Sequence, residues 1–402
     1  MNVLFLTLLD FTSIQEHTIY TDLLREFHKN GHHVYAVSPV ERRKQSMEQV
    51  FETPEGKILK LSIGNITRTN LIEKGISTLQ IESRFIQGLK RYFGQVRFDL
   101  VLYSTPPITF GRVVEFVKKR DGARAYLLLK DIFPQNAVDL GMLKKSGLGG
   151  ILYRYFRKKE KKLYQTSDTI GCMSQANVDY VRKQNPWIDP KKVEICANSV
   201  QAIDMGVDQK TRERIRRKYQ IPLEQKVFVY GGNLGKPQGI EFFIECLRQQ
   251  EKDLGVYFLI IGDGTEYGKL KEYITREKPE HVTLMKRLPR EDYEAMVGAC
   301  DVGLIFLDHR FTIPNFPSRI LSYMQAGLPV LAVTDVHTDV GKVITEGKFG
   351  WWCESNSTEA FGKAVQAACG SDLEQMGNAG FRYLAENYSV EDAYRVIMRH
   401  WE

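Results

Sequence analysis

The apolar positions of this chain fall into short continuous runs separated by amphipathic stretches, and the alternation restarts near the middle. Residues 3–9 form an apolar run of strand length. Residues 13–30 place apolar side chains at helical spacing and end at Gly31, a helix stop, before a second strand-like run at 33–38. This βαβ opening continues with strand-like runs at 98–103, 124–130, 169–173 and 193–197, and helical patterns at 109–119, 148–165 and 175–183. Residues 41–88 show no readable period, with short helices expected only within 78–92. Residues 201–223 are polar and charged and read as a connector. A second series then follows, with strands expected at 227–230, 257–261, 282–285, 302–306 and 330–333 and helices at 240–250, 266–275, 290–297 and 318–326. A last helix is expected over 390–401.

Two consecutive βα series in 402 residues imply an α/β protein of two doubly wound, Rossmann-like domains facing a central cleft, with ligands at the carboxyl ends of the strands. The expected domains are 1–200, with 390–402 packing back on it, and 201–389. Composition is that of a globular protein, 43% hydrophobic and 26% charged. No window has the length and apolarity of a membrane span, and the start lacks the basic region and cleavage site of a signal peptide. Six scattered cysteines read as reduced thiols in a cytoplasmic protein, and no Cys/His cluster has zinc-site spacing. Charge is uneven. Residues 1–200 carry 31 Lys and Arg against 20 Asp and Glu, whereas residues 201–402 carry 25 against 29. The basic half therefore suits an anionic partner, with a membrane surface ahead of nucleic acid, since no nucleic-acid-binding signature accompanies the charge.

Chemistry concentrates at the ends of expected strands. Pro317-Ser318-Arg319 reads as a helix start, with Ser318 as cap and Arg319 adding a full charge to the helix's partial positive end, a combination suited to a phosphate or diphosphate. An αβ unit that binds nothing has the same pattern. The loop from Tyr230 to Gly239 contains Gly232, Asn233, Gly235 and Lys236. Its glycines permit close backbone approach to a ligand, and its spacing fits neither a Walker A loop nor the Gly-x-Gly-x-x-Gly fingerprint. Gly262, Asp263 and Gly264 follow another strand, as do Lys286 and Arg287; ordinary turns and solvated charges are the alternatives. In the first half, Lys130 and Asp131 stand at a strand end before a Phe-Pro turn, Asp10 stands near the end of the first strand, and His17 is expected on the first helix beside Glu16. Arg154, Arg157, Lys158, Lys161 and Lys162 recur at helical spacing between Tyr153, Phe156 and Leu163, the pattern of a helix on an anionic membrane or of a solvated face.

Together these pieces resemble the family 4 retaining glycosyltransferases of the GT-B fold, and among them bacterial enzymes that build O-antigen or capsule repeat units. The resemblance spans Lys130-Asp131-Ile132-Phe133-Pro134, Asn198-Ser199-Val200, the glycine loop, Ile261 to Gly264, Cys300 to Gly303 and the helix start at Pro317. It implies a hexosyltransferase that holds a sugar nucleotide, with UDP the expected nucleotide, in the C-terminal domain without metal or other cofactor. Gly232, Asn233, Gly235, Lys236, Ser318 and Arg319 would meet the diphosphate. Gly262, Asp263, Gly264 and Arg287 would lie near the base, and Ser322 near the ribose. Lys236 and Arg319 would stabilise the leaving group, Lys130 and Asp131 would serve catalysis, and Asp10 and His17 would lie on the acceptor side. The acceptor would be a lipid-linked saccharide reached peripherally at the inner face of the plasma membrane. The chain departs from the family pattern at five positions. Two glutamates expected eight positions apart are Pro314 and Ser322, with Asn315 or Asp308 as substitutes for the first; a usual histidine is Lys130; and an Arg and a Lys that clamp the diphosphate are Asn233 and Gln238. A non-catalytic sugar-nucleotide- or lipid-binding partner, or an epimerase of the same fold, are the competing readings.

Overall fold

Continuous apolar runs become strands buried on both faces, because parallel sheets are covered by helices on each side. In this computed structural model residues 1–44, 47–65, 71–250 and 255–401 are described, without the side chains of 71–76 and 79. The chain divides into two compact units, Met1–Val200 with Val390–Glu402, and Gln201–Ser389.

The first unit is built on eight strands: β1 (Asn2–Leu6), β2 (His33–Glu41), β3 (Gln49–Thr53), β4 (Gly56–Ile63), β5 (Leu100–Ser104), β6 (Arg124–Leu129), β7 (Thr169–Cys172) and β8 (Val193–Ile195). Their order is β3-β4-β2-β1-β5-β6-β7-β8, parallel throughout except for β3 against β4. The second unit carries β9 (Lys226–Asn233), β10 (Val256–Asp263), β11 (Val282–Met285), β12 (Val302–Phe306), β13 (Val330–Thr334) and β14 (Gly350–Glu354), all parallel, in the order β11-β10-β9-β12-β13-β14. Both orders reverse beside a central strand, β1 in one sheet and β9 in the other. Such a reversal opens a crevice at that strand's carboxyl end.

The C-terminal helix Val390–Met398 belongs to the first unit. Its Ala393 and Ile397 are buried in the core with Val3, Phe5 and Phe27. Tyr394 stands edge-on to Phe27 at 5.0 Å, with its hydroxyl 2.8 Å from His32 Nε2. Arg399 Nη2 lies 2.5 Å from Glu194 Oε2.

Three expectations change. The first helix covers Thr21–Lys29 only. Within residues 12–20, four N–H groups go to side chains instead: Thr12 to Glu16, Gln15 to Ser13, Thr18 to Thr21, and Tyr20 to Thr18. Local hydroxyl and carboxylate bonds of this kind compete with helix. Second, the stretch 41–88, apart from 45–46 and 66–70, which lie outside the described residues, holds β3, β4 and most of the helix Leu71–Tyr92. The period of β4 is hidden by Lys60, which is buried in mid-strand because its ammonium pairs with Asp10 and reaches Ser38 Oγ at 3.2 Å. Third, the polar connector contains the helix Gln209–Lys218. It docks through a guanidinium rather than a methyl-rich stripe: buried Arg216 donates to the Ala299, Pro222 and Gln225 carbonyls at 2.8, 3.1 and 3.1 Å and pairs with Asp301 at 2.5 Å.

Candidate functional site

In the second unit, the loops after β9, β10 and β12 are tied together at the sheet's switch point. Gly262 and Asp263 sit in register with Gly232 and Asn233. Leu234 donates to the Asp263 carbonyl at 3.0 Å, and Asp308 N donates to the Pro237 carbonyl at 2.9 Å. Glycine is required here by close approach: a Cβ on Gly262 would overlap the Gly232 carbonyl, and one on Gly264 would overlap the Leu234 backbone. Gly232 itself has φ 122°, a left-handed conformation that L side chains avoid. Gln238, at a position where the family carries a cation, is buried and closes the loop, its Oε1 accepting from Gly235 N at 3.0 Å and Asn233 Nδ2 at 3.3 Å. Lys236 is exposed on the same turn.

Arg319 is the cation beside this loop. Its guanidinium lies 4.4 Å over the Tyr230 ring, and a Cβ on Gly232 would touch it at 3.5 Å. Nη1 is buried and, among the described residues, has no hydrogen-bond partner, and no described carboxylate pairs with the guanidinium, whose side-chain contact is with Tyr230. Two tyrosines beside it hold the loop: Tyr323 hydroxyl accepts from Gly231 N at 3.1 Å and donates to Leu304 O at 3.1 Å, and Tyr293 fills the space a Gly231 side chain would need. Tyr230, Tyr293 and Tyr323 escaped the sequence reading, although Tyr230 opens the glycine loop and helical spacing from Arg319 points to Tyr323.

The helix start differs from its expectation. The helix is Arg319–Gln325, and Ser318 takes helical dihedrals (φ −63°, ψ −18°) with no side-chain cap bond. A capping hydroxyl needs an extended backbone to reach back to the first turn. The first-turn donors are also partly used, Ile320 N bonding Pro317 O at 3.3 Å and Leu321 N bonding Ser318 O at 3.1 Å. Positive charge at this spot therefore resides in the Arg319 side chain more than in the helix end. Ser322 is half-buried one turn on. Asp308 is held by Arg310 through bonds of 2.9 and 2.6 Å; burial alone would raise its carboxyl, but Arg310 keeps it below the usual carboxylate range. It is thereby already neutralised. Asn315 is bound through its carbonyl by the Thr338 hydroxyl, and its Nδ2 is buried without a partner. Lys286 lies over Tyr267 at 5.7 Å, and Arg287 is exposed.

In the first unit, Lys130 and Asp131 diverge. Thr105 Oγ1 accepts from both backbone N–H groups, at 2.9 and 3.0 Å, which fixes the end of β6. Lys130 Nζ turns to the Cys196 carbonyl at 3.3 Å, and burial lowers its pKa. Asp131 accepts from Asn136 Nδ2 at 2.7 Å; burial pushes its carboxyl up to about 6, against the opposing bonds from Ile132 and Asn136. Asp10 lies past β1 and pairs with Lys44 and Lys60, which hold it low although burial acts the other way. His17 is not helical as expected. It sits in the turn before the helix, its Nδ1 2.9 Å from Arg25 Nη2, and Glu16 closes the same turn by accepting from Thr12.

The basic helix Gly147–Thr166 does not present its five cations as one free face. Arg157 pairs with Glu160 and reaches Asn185 Oδ1 at 2.6 Å, and Lys162 lies 3.0 Å from Glu115. Leu163 is buried, and Phe156 stands edge-on to Phe133 at 4.9 Å, so these apolar residues face the protein. Arg154, Lys158 and Lys161 remain exposed.

Residues 211–383, which include the switch-point loops and Arg319, match the family Glycosyl transferases group 1, and the two Rossmann-like sheets are those of the GT-B fold. Among its relatives, the chain is 28% identical over 324 residues to the probable glycosyltransferase WbjE of Pseudomonas aeruginosa, covering 80% of this chain and 78% of WbjE. It is 22% identical over 253 residues to the putative colanic acid biosynthesis glycosyl transferase WcaI of Escherichia coli K12, covering 61% and 60%. Among solved structures, Anabaena HepE in complex with UDP superposes with a TM-score of 0.70 at 13% identity, over 100% of this chain and 99% of HepE.

Proposed function

We propose that this chain is a retaining, metal-independent hexosyltransferase that moves a sugar from a UDP-sugar to a lipid-linked saccharide in cell-surface polysaccharide synthesis. The observation that carries the reading is the Arg319 guanidinium, held against Tyr230 and Gly232 with a buried Nη1 for which no acceptor exists among the described residues. A diphosphate supplies the missing anion, and exposed Lys236 supplies a second cation on the neighbouring turn. The UDP donor is supported by HepE, whose structure holds UDP, and the polysaccharide role by WcaI, whose name places it in colanic acid synthesis.

In this reading, Gly232, Asn233 and Gly235 let backbone approach the diphosphate, while Gly262 to Gly264 and Arg287 border the nucleoside. Ser322 contributes one hydroxyl where the family uses a carboxylate. Attack proceeds from the face the leaving group departs, assisted by the diphosphate, with Lys236 and Arg319 stabilising its developing charge. Asp131, with Lys130 and Asp10 in the same unit, orients the acceptor. No described helix is long and apolar enough to cross a membrane, and the lipid-linked acceptor brings the protein peripherally to the inner membrane face.

The second reading, a non-catalytic binder of sugar nucleotide, is favoured by Pro314 and Ser322 at the glutamate positions and by Asp308, which Arg310 already neutralises. Both readings require a nucleotide site, and a thermal-shift titration with UDP tests it. UDP should raise the melting temperature of the wild type, and Arg319→Ala should weaken apparent UDP affinity by about tenfold to a hundredfold. An undiminished response in Arg319→Ala contradicts the site. Turnover with an acceptor-containing membrane extract then separates transferase from binder, and interconversion of donor without acceptor identifies an epimerase.

A further inference from the structure

The face of the basic helix that lacks a protein partner is not the one its charges suggested. Leu148, Ile151, Leu152 and Tyr155 are 86, 58, 47 and 37% exposed, and nearby Met142 is 61% exposed. The four helical positions follow the i, i+3, i+4, i+7 rule, so they form one apolar row along the first two turns. Exposed large apolar side chains gathered in a row, rather than scattered, mark an interaction surface.

The row is held in place. Buried Leu143 anchors the preceding loop, and Gly150 packs so closely on Lys145 that a Cβ there would meet its carbonyl at 2.6 Å. Along the sequence that carries the row, charge has one sign between Asp139 and Glu160. Residues 140–159 contain six Lys and Arg and no Asp or Glu. Arg157 and Lys159 are taken up by Glu160 and Glu82, while Lys144, Lys145, Arg154 and Lys158 lie exposed beside the row with no carboxylate paired to them among the described residues.

We infer that residues 142–158 dock on an anionic lipid surface, with Met142, Leu148, Ile151, Leu152 and Tyr155 entering the headgroup boundary and Lys144, Lys145, Arg154 and Lys158 meeting lipid phosphates. A short amphipathic helix with an apolar row and a cationic rim lies in the plane of an interface. Each cation near an anionic leaflet adds to the attraction, and the same charges repel a second copy of this chain, which would bring an identical cationic rim. This inference deepens the lipid-linked acceptor reading and rests on it for the reason the protein meets a membrane. Its geometric basis is independent of Arg319 and the donor site.

The test is co-sedimentation of the full chain with vesicles of phosphatidylglycerol and phosphatidylethanolamine, against vesicles of phosphatidylcholine. The wild type should partition onto the anionic vesicles and release as salt rises. The triple variant Leu148→Ser, Ile151→Ser, Leu152→Ser should lose about tenfold or more in partition coefficient, as should Lys144→Glu, Arg154→Glu, Lys158→Glu. All six positions are exposed, so both variants should keep the wild-type melting temperature. They should also keep its UDP response, which reads the donor site separately. Unchanged sedimentation of either folded variant overturns the inference, as does a wild-type dimer that the serine variant dissociates, since the face is then occupied by a second copy. Loss of vesicle binding in a protein that never responds to UDP supports the docking face and removes the transferase reading.

Discussion

Arg319 and Asp131 are informative because each is half-buried and, among the described residues, lacks an oppositely charged partner. Arg319 has an aromatic ring beneath it and no carboxylate. Asp131 has the Ile132 backbone and the Asn136 side-chain amide as donors and, among the described residues, no cation, Lys130 having turned to the Cys196 carbonyl. The displacement of Asp131 to about 6 has two consequences of known sign. Folded protein keeps its proton to higher pH than the unfolded chain, whose carboxyl titrates near 3.8, so this group's contribution to stability falls as pH rises from about 4 to about 6. Asp131→Asn should raise the melting temperature relative to wild type above about pH 7 and lose that advantage near pH 3; a constant difference across that range contradicts the assignment. Asp335, also pushed up to about 6 by burial, keeps its own slope of the same sign in the variant. Transfer activity that needs the Asp131 carboxylate should rise through about pH 6 in the wild type, and that limb should vanish in Asp131→Asn. Of these residues the chain's letters revealed identity and strand-end position. They did not reveal that adjacent Lys130 and Asp131 diverge, that Arg310 neutralises Asp308, or that Ser318 takes helical dihedrals, because each depends on contacts made by other segments.

Elements were legible where a continuous apolar run or a 3.6-residue period stood alone. β12 and β13 are buried at every position and β9 and β10 at all but their ends, and the expected runs fall on the buried positions. The sequence pattern failed where a polar side chain does the work of an apolar one. Lys60 in β4 and Arg216 in the helix Gln209–Lys218 are buried through Asp10 and Asp301, so both segments read as irregular. The basic helix Gly147–Thr166 was misread in a different way: period and charge were visible, but which apolar residues face the protein was not, and Phe156 and Leu163 pack against the protein while Leu148 and Ile151 are exposed. The carboxyl end of β10 gives a direct test of how closely the loops pack. Gly262→Ala forces a Cβ into the Gly232 carbonyl, backbone that has no flexible end to yield. It should cost about 2 kcal/mol or more in denaturant unfolding and weaken UDP binding together. A variant of wild-type stability and affinity contradicts the register of β9 and β10.

At the scale of the whole molecule, two series of βα units give two sheets, each with a strand-order reversal, and the chain's last helix belongs to the first unit. Ile397 is fully buried there with Phe27 and Ala393. Ile397→Ala should therefore cost about 2–5 kcal/mol in the first unit although it lies six residues from the end of the chain. A change below about 0.5 kcal/mol contradicts closure of that core by the C-terminal helix. Segment 211–383 carries the family match and lies within the second unit, the unit to which the donor site is assigned. The measurement that tests the assignment most directly is release of UDP from a panel of UDP-sugars by purified protein given acceptor-containing membrane extract, with the anomeric configuration of the product read by NMR. The expected result is acceptor-dependent UDP release with retention, reduced about 10²- to 10³-fold in kcat/KM by Arg319→Ala. UDP binding without release from any donor, or a product with inverted configuration, contradicts it.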